Sequence, residues 1–359
     1  MPRPKTVYRG KRKYSWLITL LVSTLALLLL LTVWMFYHLQ TYLVYDKDGV
    51  RLVLPSERET LTPSEPNSPG AADLPRIDVE IVVDKTDYSG VETTAGQDTP
   101  AVRAVYVPAS EVTAQNLDFY LTGLGDFNAL VLQLKGPDGY LRYASSLPLA
   151  VSYNVNGSLD LKSYAEKFKA RGVYLIAELG CLTDSAMAVR NAPAALKNAV
   201  TGSAYTASGT AWLDPYSEVT RGYLTDLIAE LTDLGFDEIL LSGVYCPEGE
   251  NIAFSQPMTL TPDRASAVSS LALYLREQAD SLGVRLSALV ETDALVSGES
   301  ETIGQDLPVF FKAFDRVGFL AGESYQPALA ALTPYTDAAD RILPITDDYA
   351  PERTSYAVK

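Results

Sequence analysis

Four carboxylate residues sit where apolar runs give out: Glu178 in VYLIAEL, Glu291 after RLSALV, Glu323 after VGFLAG and Asp347 after RILPIT. Two such groups converging on one point can share acid and base work, one donating a proton while the other accepts one or attacks. Little else in the chain offers an alternative. The one histidine, His38, lies beside a long uncharged run, so a Ser-His-Asp or Cys-His mechanism and imidazole metal ligation are ruled out for the remainder. Without a histidine partner neither Cys181 nor Cys246 reads as a nucleophile. The 44 acidic and 29 basic residues give a net charge of −15, which repels phosphate backbones and argues against nucleic-acid binding. No cofactor and no metal site is read from the sequence.

The elements that must position these acids are legible from residue 101 onward. Short apolar runs recur at 104–107, 129–134, 173–179, 238–244, 285–291, 317–323 and 341–346, with amphipathic stretches between several of them. In YSEVTRGYLTDLIAELTDLGF, Val219, Tyr223, Leu227, Ile228, Leu231 and Leu234 form one stripe that stops at Gly235. A second helix opens on Thr261 and Pro262 and closes at Gly283. Strands interleaved with helices predict an α/β fold with a parallel sheet. A (β/α)8 barrel of the TIM type and an open doubly wound sheet are both compatible. The span of about 250 residues favours the barrel, and the absence of G-x-G-x-x-G after the first strand weighs against a dinucleotide-binding sheet. After RILPIT so little chain remains that either TSYAV closes the ring without a preceding helix or the barrel is incomplete at strand 8.

Reading each strand with period 2 assigns its faces. Leu286, Ala288 and Val290 meet the helices, which leaves Arg285, Ser287, Leu289 and Glu291 pointing inward with Glu291 at the mouth. Glu238, Leu240 and Ser242 share the inward face of their strand.

Upstream, residues 1–15 carry six basic and no acidic residues, and residues 16–37 form an uncharged stretch flanked by Tyr14, Trp16, Trp34, Phe36 and Tyr37. As a helix that stretch spans about 33 Å, enough for a bilayer. The expectation is a cytoplasmic basic tail (1–15), a single-pass transmembrane helix (16–37), an extracytoplasmic hairpin and Pro/Ser/Glu-rich linker (38–100) and a barrel domain (101–359), placing the protein at the cell membrane. The run is too long, and its flank too aromatic, for a cleaved signal peptide.

The segment AWLDPYSEVTRGYLTDLIAELTDLGFDEILLSGVYCP (211–247) carries a W-x-D-P turn at Trp212, Asp214 and Pro215, then G-F-D-E-I at 235–239, and Pro247 at the close of the next strand. LQLKGPDGYLRY (132–143) adds a K-x-x-x-G strand and loop at Lys135 and Gly139. Over roughly residues 101–347 this order resembles a bacterial family of putative glycoside hydrolase domains, a TIM-barrel family of undefined specificity whose members are often surface-anchored. The resemblance implies a barrel acting on a cell-envelope or extracellular polysaccharide. It has departures: where the family strand reads D-Y-I-R-F-P, this chain has Ser242, Gly243, Val244, Tyr245, Cys246 and Pro247, so both the aspartate and the arginine are replaced.

Glycosidases set two carboxyl groups about 5–5.5 Å apart for retention or about 6.5–9.5 Å apart for inversion. Glu291 is the leading acid/base candidate, with Glu323 or Asp347 as partner. Trp212, Asp214, Lys135, Glu178, Ser242 and Tyr245 are candidate substrate contacts. Three of them have a structural counterpart reading: Trp212 as a loop anchor against Tyr205 or Tyr216, Asp214 with Pro215 as a helix start, and Lys135 as the partner of a neighbouring acid. Cys181 and Cys246 follow adjacent strands and are either a disulfide or two buried thiols. Two functions stay open: a membrane-anchored hydrolase, or a catalytically degenerate barrel that binds glycan or a protein partner. Ser242 weighs toward the second.

Overall fold

The computed structural model describes residues 86–255, 263–336, 338–348 and 353–359, the two strands Leu43–Asp46 and Gly49–Leu52, and five helical positions between 20 and 28. Those two short strands pair antiparallel, Leu43 opposite Leu52 and Asp46 opposite Gly49, as a hairpin should. They fall in a compact unit spanning Met1–Asp78; a second unit, Val79–Lys359, holds everything described below. Among the described residues no helix is long and apolar enough to cross a membrane. The expected span 16–37 lies for the most part outside those residues, as do residues 53–85 of the expected linker.

Eight parallel strands close into a barrel: β1 Arg103–Val107, β2 Ala129–Lys135, β3 Tyr174–Gly180, β4 Glu238–Ser242, β5 Arg285–Val290, β6 Val317–Leu320, β7 Ile342–Thr346 and β8 Tyr356–Val358. Each pairs with its sequence neighbours, and β8 pairs with β1 through Tyr356 opposite Arg103. The open-sheet alternative is therefore excluded. The ring is complete, and TSYAV closes it: among the described residues no helix stands between β7 and β8. The larger helices packed outside are α1 Ala114–Thr122, α2 Leu161–Lys169, α3 Glu218–Asp233, α4 Arg264–Leu282, α5 Leu307–Ala313 and α6 Tyr325–Leu332.

Local sequence explains these boundaries. The Ser217 hydroxyl accepts from the Thr220 N–H at the head of α3, whose buried stripe runs through Tyr223, Leu224, Leu227, Ile228 and Leu231. Asp263 caps α4 by accepting from Ser266 N, while Thr261 and Pro262, expected to open it, lie outside the described residues. Gly283 ends α4 at φ 68°, a left-handed conformation that costs glycine little.

Two apolar clusters divide along the strand faces. Ala104, Val131, Ile176, Leu240, Leu289, Leu343, Ile345 and Ala357 fill the lumen. Leu286, Ala288 and Val290 join the larger cluster between strands and helices, as period 2 requires. The N-terminal end of the lumen is plugged by charge. Arg316, fully buried, donates from Nε to Glu238 Oε1 at 3.1 Å, and Ser287 and Tyr174 hydroxyls donate to the same carboxylate at 2.6 and 3.0 Å. Its remaining nitrogens reach the Asp340 and Pro100 carbonyls, both at 2.6 Å. That end is sealed, which leaves the opposite end for ligands.

Residues 86–100 belong to the stretch read as linker from composition, yet they are tied to the barrel. Thr86 N donates to Ser266 Oγ at 3.1 Å, Gly96 N to Asp315 Oδ1 at 2.8 Å, and Lys312 Nζ to Tyr88 O at 3.1 Å. Polar side chains on α4, α5 and the chain before β6 satisfy this backbone, a contact that hydrophobic periodicity cannot reveal.

Candidate functional site

The trailing ends of the strands converge on a cleft of 580 Å³. β1 contributes Tyr106, β2 Gln133, β3 Glu178, β4 Ser242, β5 Leu289 and Val290, and β6 Leu320; the loops beyond add Thr183, Tyr245, Glu291, Asp293 and Glu323. This is the end at which barrel enzymes assemble their sites. A larger cavity of 890 Å³ lies on the flank beside α5 and residues 86–89 and contains none of the strand-end acids.

Glu178 forms the floor. It is 1% exposed, and Gln133 Nε2 donates to its Oε1 at 2.8 Å. Burial pushes its carboxyl above the usual range, an effect that Gln133 and the nearby Tyr106 and Ser242 hydroxyls partly offset. Gln133 is itself oriented: its Oε1 accepts from Ala109 N at 3.0 Å. Tyr106 is buried, and its hydroxyl is held protonated by burial and by Glu178.

Glu291 stands at the lip, half-buried, immediately past β5. Burial, and then the charge of Asp293, raises its carboxyl. Its backbone N–H donates to Gln305 Oε1 at 3.0 Å, and Gln305 Nε2 donates to Val244 O at 3.2 Å. The buried Gln305 thus ties the end of β5 to the segment after β4. Glu323 is exposed on the next loop of the same cleft. Tyr245 lines the wall, backed by Trp212 with ring centroids 6.3 Å apart, and burial pushes its hydroxyl up to about 12.

The cleft thus brings together Glu178, Ser242, Tyr245, Glu291 and Glu323. Four other candidates lie elsewhere. Asp347 is exposed and faces Lys359 at 3.4 Å. Lys135 is fully buried, 2.8 Å from Asp184 and beneath the Tyr223 ring. The reason is a register shift between Gln133 and Lys135: Gln133 pairs with Glu178, but Lys135 pairs with Leu179, which belongs to the outer core. A bulge thus turns Lys135 away from the lumen where strict alternation would send it in. Trp212 is 5% exposed and packs edge-on against Tyr205, at 6.5 Å, as well as Tyr245, so it is a loop anchor. Asp214 is buried and accepts from Tyr216 N at 2.9 Å and from Ser255 N, organising the chain before α3. Both cysteines are buried free thiols. Gln133, Tyr106 and Gln305 were not singled out from sequence; the first two share the inward parity of their strands, whereas nothing local marks Gln305.

Comparison with known proteins bears on the same region. Residues 104–325 match the family described as "Putative glycosyl hydrolase domain". The glycoside hydrolase domain of PgaB (BpsB) from Bordetella bronchiseptica is 17% identical, with 72% of this chain and 94% of that one covered at a TM-score of 0.52, and it shares the fold. A hypothetical protein from Ruminiclostridium thermocellum is 24% identical over 51% of this chain and 96% of its own, at a TM-score of 0.45. The glycoside hydrolase domain of PelA from Pseudomonas aeruginosa is 15% identical, covering 70% and 85% at a TM-score of 0.42. A 78-residue stretch is 35% identical to the cytoplasmic dynein heavy chain of Eremothecium gossypii, amounting to 22% of this chain and 2% of that one.

Proposed function

Because this chain belongs to the family of putative glycosyl hydrolase domains, we propose that its barrel mouth takes a polysaccharide and cleaves it by carboxylate acid–base chemistry. One observation carries the reading: Glu291 and Glu323 lie in a single cleft whose floor is Glu178. Glu291, whose carboxyl burial raises above its ordinary range, gives its proton to the glycosidic oxygen as the C–O bond breaks. Glu323 takes a proton from the water that bonds to the anomeric carbon, so one water is consumed per bond. Glu178 orients a sugar hydroxyl from below. The uncharged run at 16–37 behind six basic residues supports an extracytoplasmic barrel tethered to a membrane, acting on a cell-envelope or extracellular glycan.

Ser242 favours a second reading, binding without turnover, because it lines the cleft at the position where the related motif carries aspartate. A glycan-array screen followed by reducing-end assays on the hits separates the two. New reducing ends that vanish in Glu291→Gln and Glu323→Gln, with binding kept, establish hydrolysis. Binding with no turnover by the unaltered protein selects the second reading. No binding to any glycan removes both.

A further inference from the structure

The loops that leave β2 and β3 run outward from the cleft side by side. Pro137 and Thr183 line the cleft. Just beyond them the Ser185 and Ala186 N–H groups donate to the Pro137 and Asp138 carbonyls, both at 3.1 Å. Behind this seam lies the Lys135–Asp184 pair, with neither side chain exposed. Asp184 also accepts from Met187 N at 2.8 Å and so starts the short helix Ser185–Arg190. Gly139 packs closely on the same carboxylate: an added Cβ would stand 2.0 Å from Asp184 Oδ1, at a φ of 82° that costs glycine little. A buried ion pair is weak evidence for stability, because desolvation offsets most of the attraction. What this one fixes is the position of one loop against the other.

The residue held out at the end of the seam is Tyr140. It is 37% exposed, with the Arg190 guanidinium over its ring at 5.3 Å. Arg190 donates to the Tyr140 hydroxyl at 2.6 Å and to the Tyr153 carbonyl at 3.0 Å, so both side chains are anchored. Apolar side chains scattered over a surface need no explanation, and the exposed Val151 and Val189 are of that kind. An exposed ring whose orientation is already fixed is different, because a flat partner orders no further side chain by lying on it. Tyr140 follows Pro137 by three residues, at most about 11 Å along the chain. On the proposal that the cleft holds a polysaccharide, we infer that Tyr140 is an outer sugar-binding position. A pyranose of a chain leaving the cleft lays its C–H face on the ring, and Arg190 holds the ring while offering guanidinium N–H groups to the sugar hydroxyls. The Lys135–Asp184 pair is the brace of that position. Such a site selects for length of chain rather than kind of sugar, since a C–H face is common to pyranoses.

The test is calorimetric titration of the full chain, purified in detergent, with dimers and hexamers of β-linked glucose, mannose and N-acetylglucosamine. The hexamer should bind about tenfold or more tightly than the dimer of the same sugar. Tyr140→Ala should weaken hexamer binding about tenfold and leave the dimer unchanged, whereas Tyr140→Phe, which keeps the ring, should stay within about threefold of the unaltered protein. Tyr140 is exposed, so folding is not at stake, and an unchanged dimer in the same variant shows the cleft intact. Hexamer and dimer binding alike in the unaltered protein overturns the inference and leaves the glycan reading standing. Tyr140→Ala weakening neither, or both equally, does the same. So does a loss in Val189→Ser as large as that in Tyr140→Ala, which would reduce the position to a general apolar surface. No binding by any of the hexamers also overturns it, because a face common to pyranoses should register on each. Silence on the array as well removes the glycan reading too.

Discussion

Gln133 and Glu178 face each other across adjacent strands of the barrel, paired in register and joined by a 2.8 Å hydrogen bond from the amide to the carboxylate. The bond fixes which carboxylate oxygen is spent. Gln133 has its own carbonyl occupied by Ala109 N, so its amide nitrogen is aimed at Glu178 Oε1.

The same arrangement has a measurable cost. Burial raises the Glu178 carboxyl in the folded state, so its contribution to stability is full below its ordinary value of 4.5 and is lost as pH rises through the higher folded value. Glu178→Gln removes that loss while its amide oxygen still accepts from Gln133. The melting temperature of the variant relative to the unaltered protein should therefore climb as pH goes from 4 to 8, by about 2–4 °C for each kcal/mol recovered. A difference that stays flat across that range would contradict the assignment.

At the sealed end, Arg316→Met should be among the most damaging single changes. It leaves Glu238 buried with two hydroxyl donors and no positive charge, a loss of about 3–5 kcal/mol. The double change Arg316→Met with Glu238→Leu should restore a substantial part of it, since the penalty comes from the orphaned charge. Chemical denaturation of the single and double variants measures both. A double variant no more stable than Arg316→Met would mean that the pair contributes through packing.

The barrel itself was legible because its seven clear strands are buried on both faces and read as apolar runs, and the amphipathic helices between them announce their own period. Inward and outward faces of β4 and β5 followed from parity, so Ser242, Leu289 and Glu291 could be placed. Parity failed at Lys135, where one register shift reverses the side and no residue type marks the bulge. It could not find Gln305 either, because that residue reaches the site from a loop between β5 and α5 and bonds to groups distant in sequence. Asp347 misled for a related reason: ending a strand puts a residue near the rim, but only the loop path decides whether it turns toward the cleft.

Gln305 should therefore behave as a positioning residue. Replacing it with leucine leaves the Glu291 N–H and the Val244 carbonyl without partners, at about 1–3 kcal/mol, and frees the lip to shift. Binding of a glycan hit should weaken severalfold in Gln305→Leu, whereas Gln305→Glu, which keeps the acceptor for Glu291 N, should recover much of it if the lip is what matters. Equal affinity in Gln305→Leu and the unaltered protein would confine this residue to stability.

Gly243 is the tightest constraint on the β4 tip. It sits at φ 63°, and an added Cβ would lie 2.0 Å from Thr183 Oγ1. Gly243→Ala should cost about 1–3 kcal/mol and displace Thr183 from the cleft wall. Adding Thr183→Ala should relieve the clash but not the backbone strain, so partial recovery in a thermal melt is expected. Complete recovery would show that the left-handed backbone costs nothing here.

The last expectation concerns protons. If Glu291 is the acid, its protonated form is the active one and turnover falls as pH rises through its titration, the alkaline limb of the profile. Burial is the larger cause of its raised value and Asp293 the smaller. Removing the Asp293 charge in Asp293→Asn lowers the value, so the alkaline limb should move to lower pH. Asp293 is exposed and water screens it, so the displacement is small, largest at low salt and fading by about 0.5 M. In a protein that binds without turnover, the Glu291 carboxyl resonance followed by NMR takes the place of the rate. An alkaline limb or a resonance that ignores Asp293 at low ionic strength would separate Glu291 from the acid role.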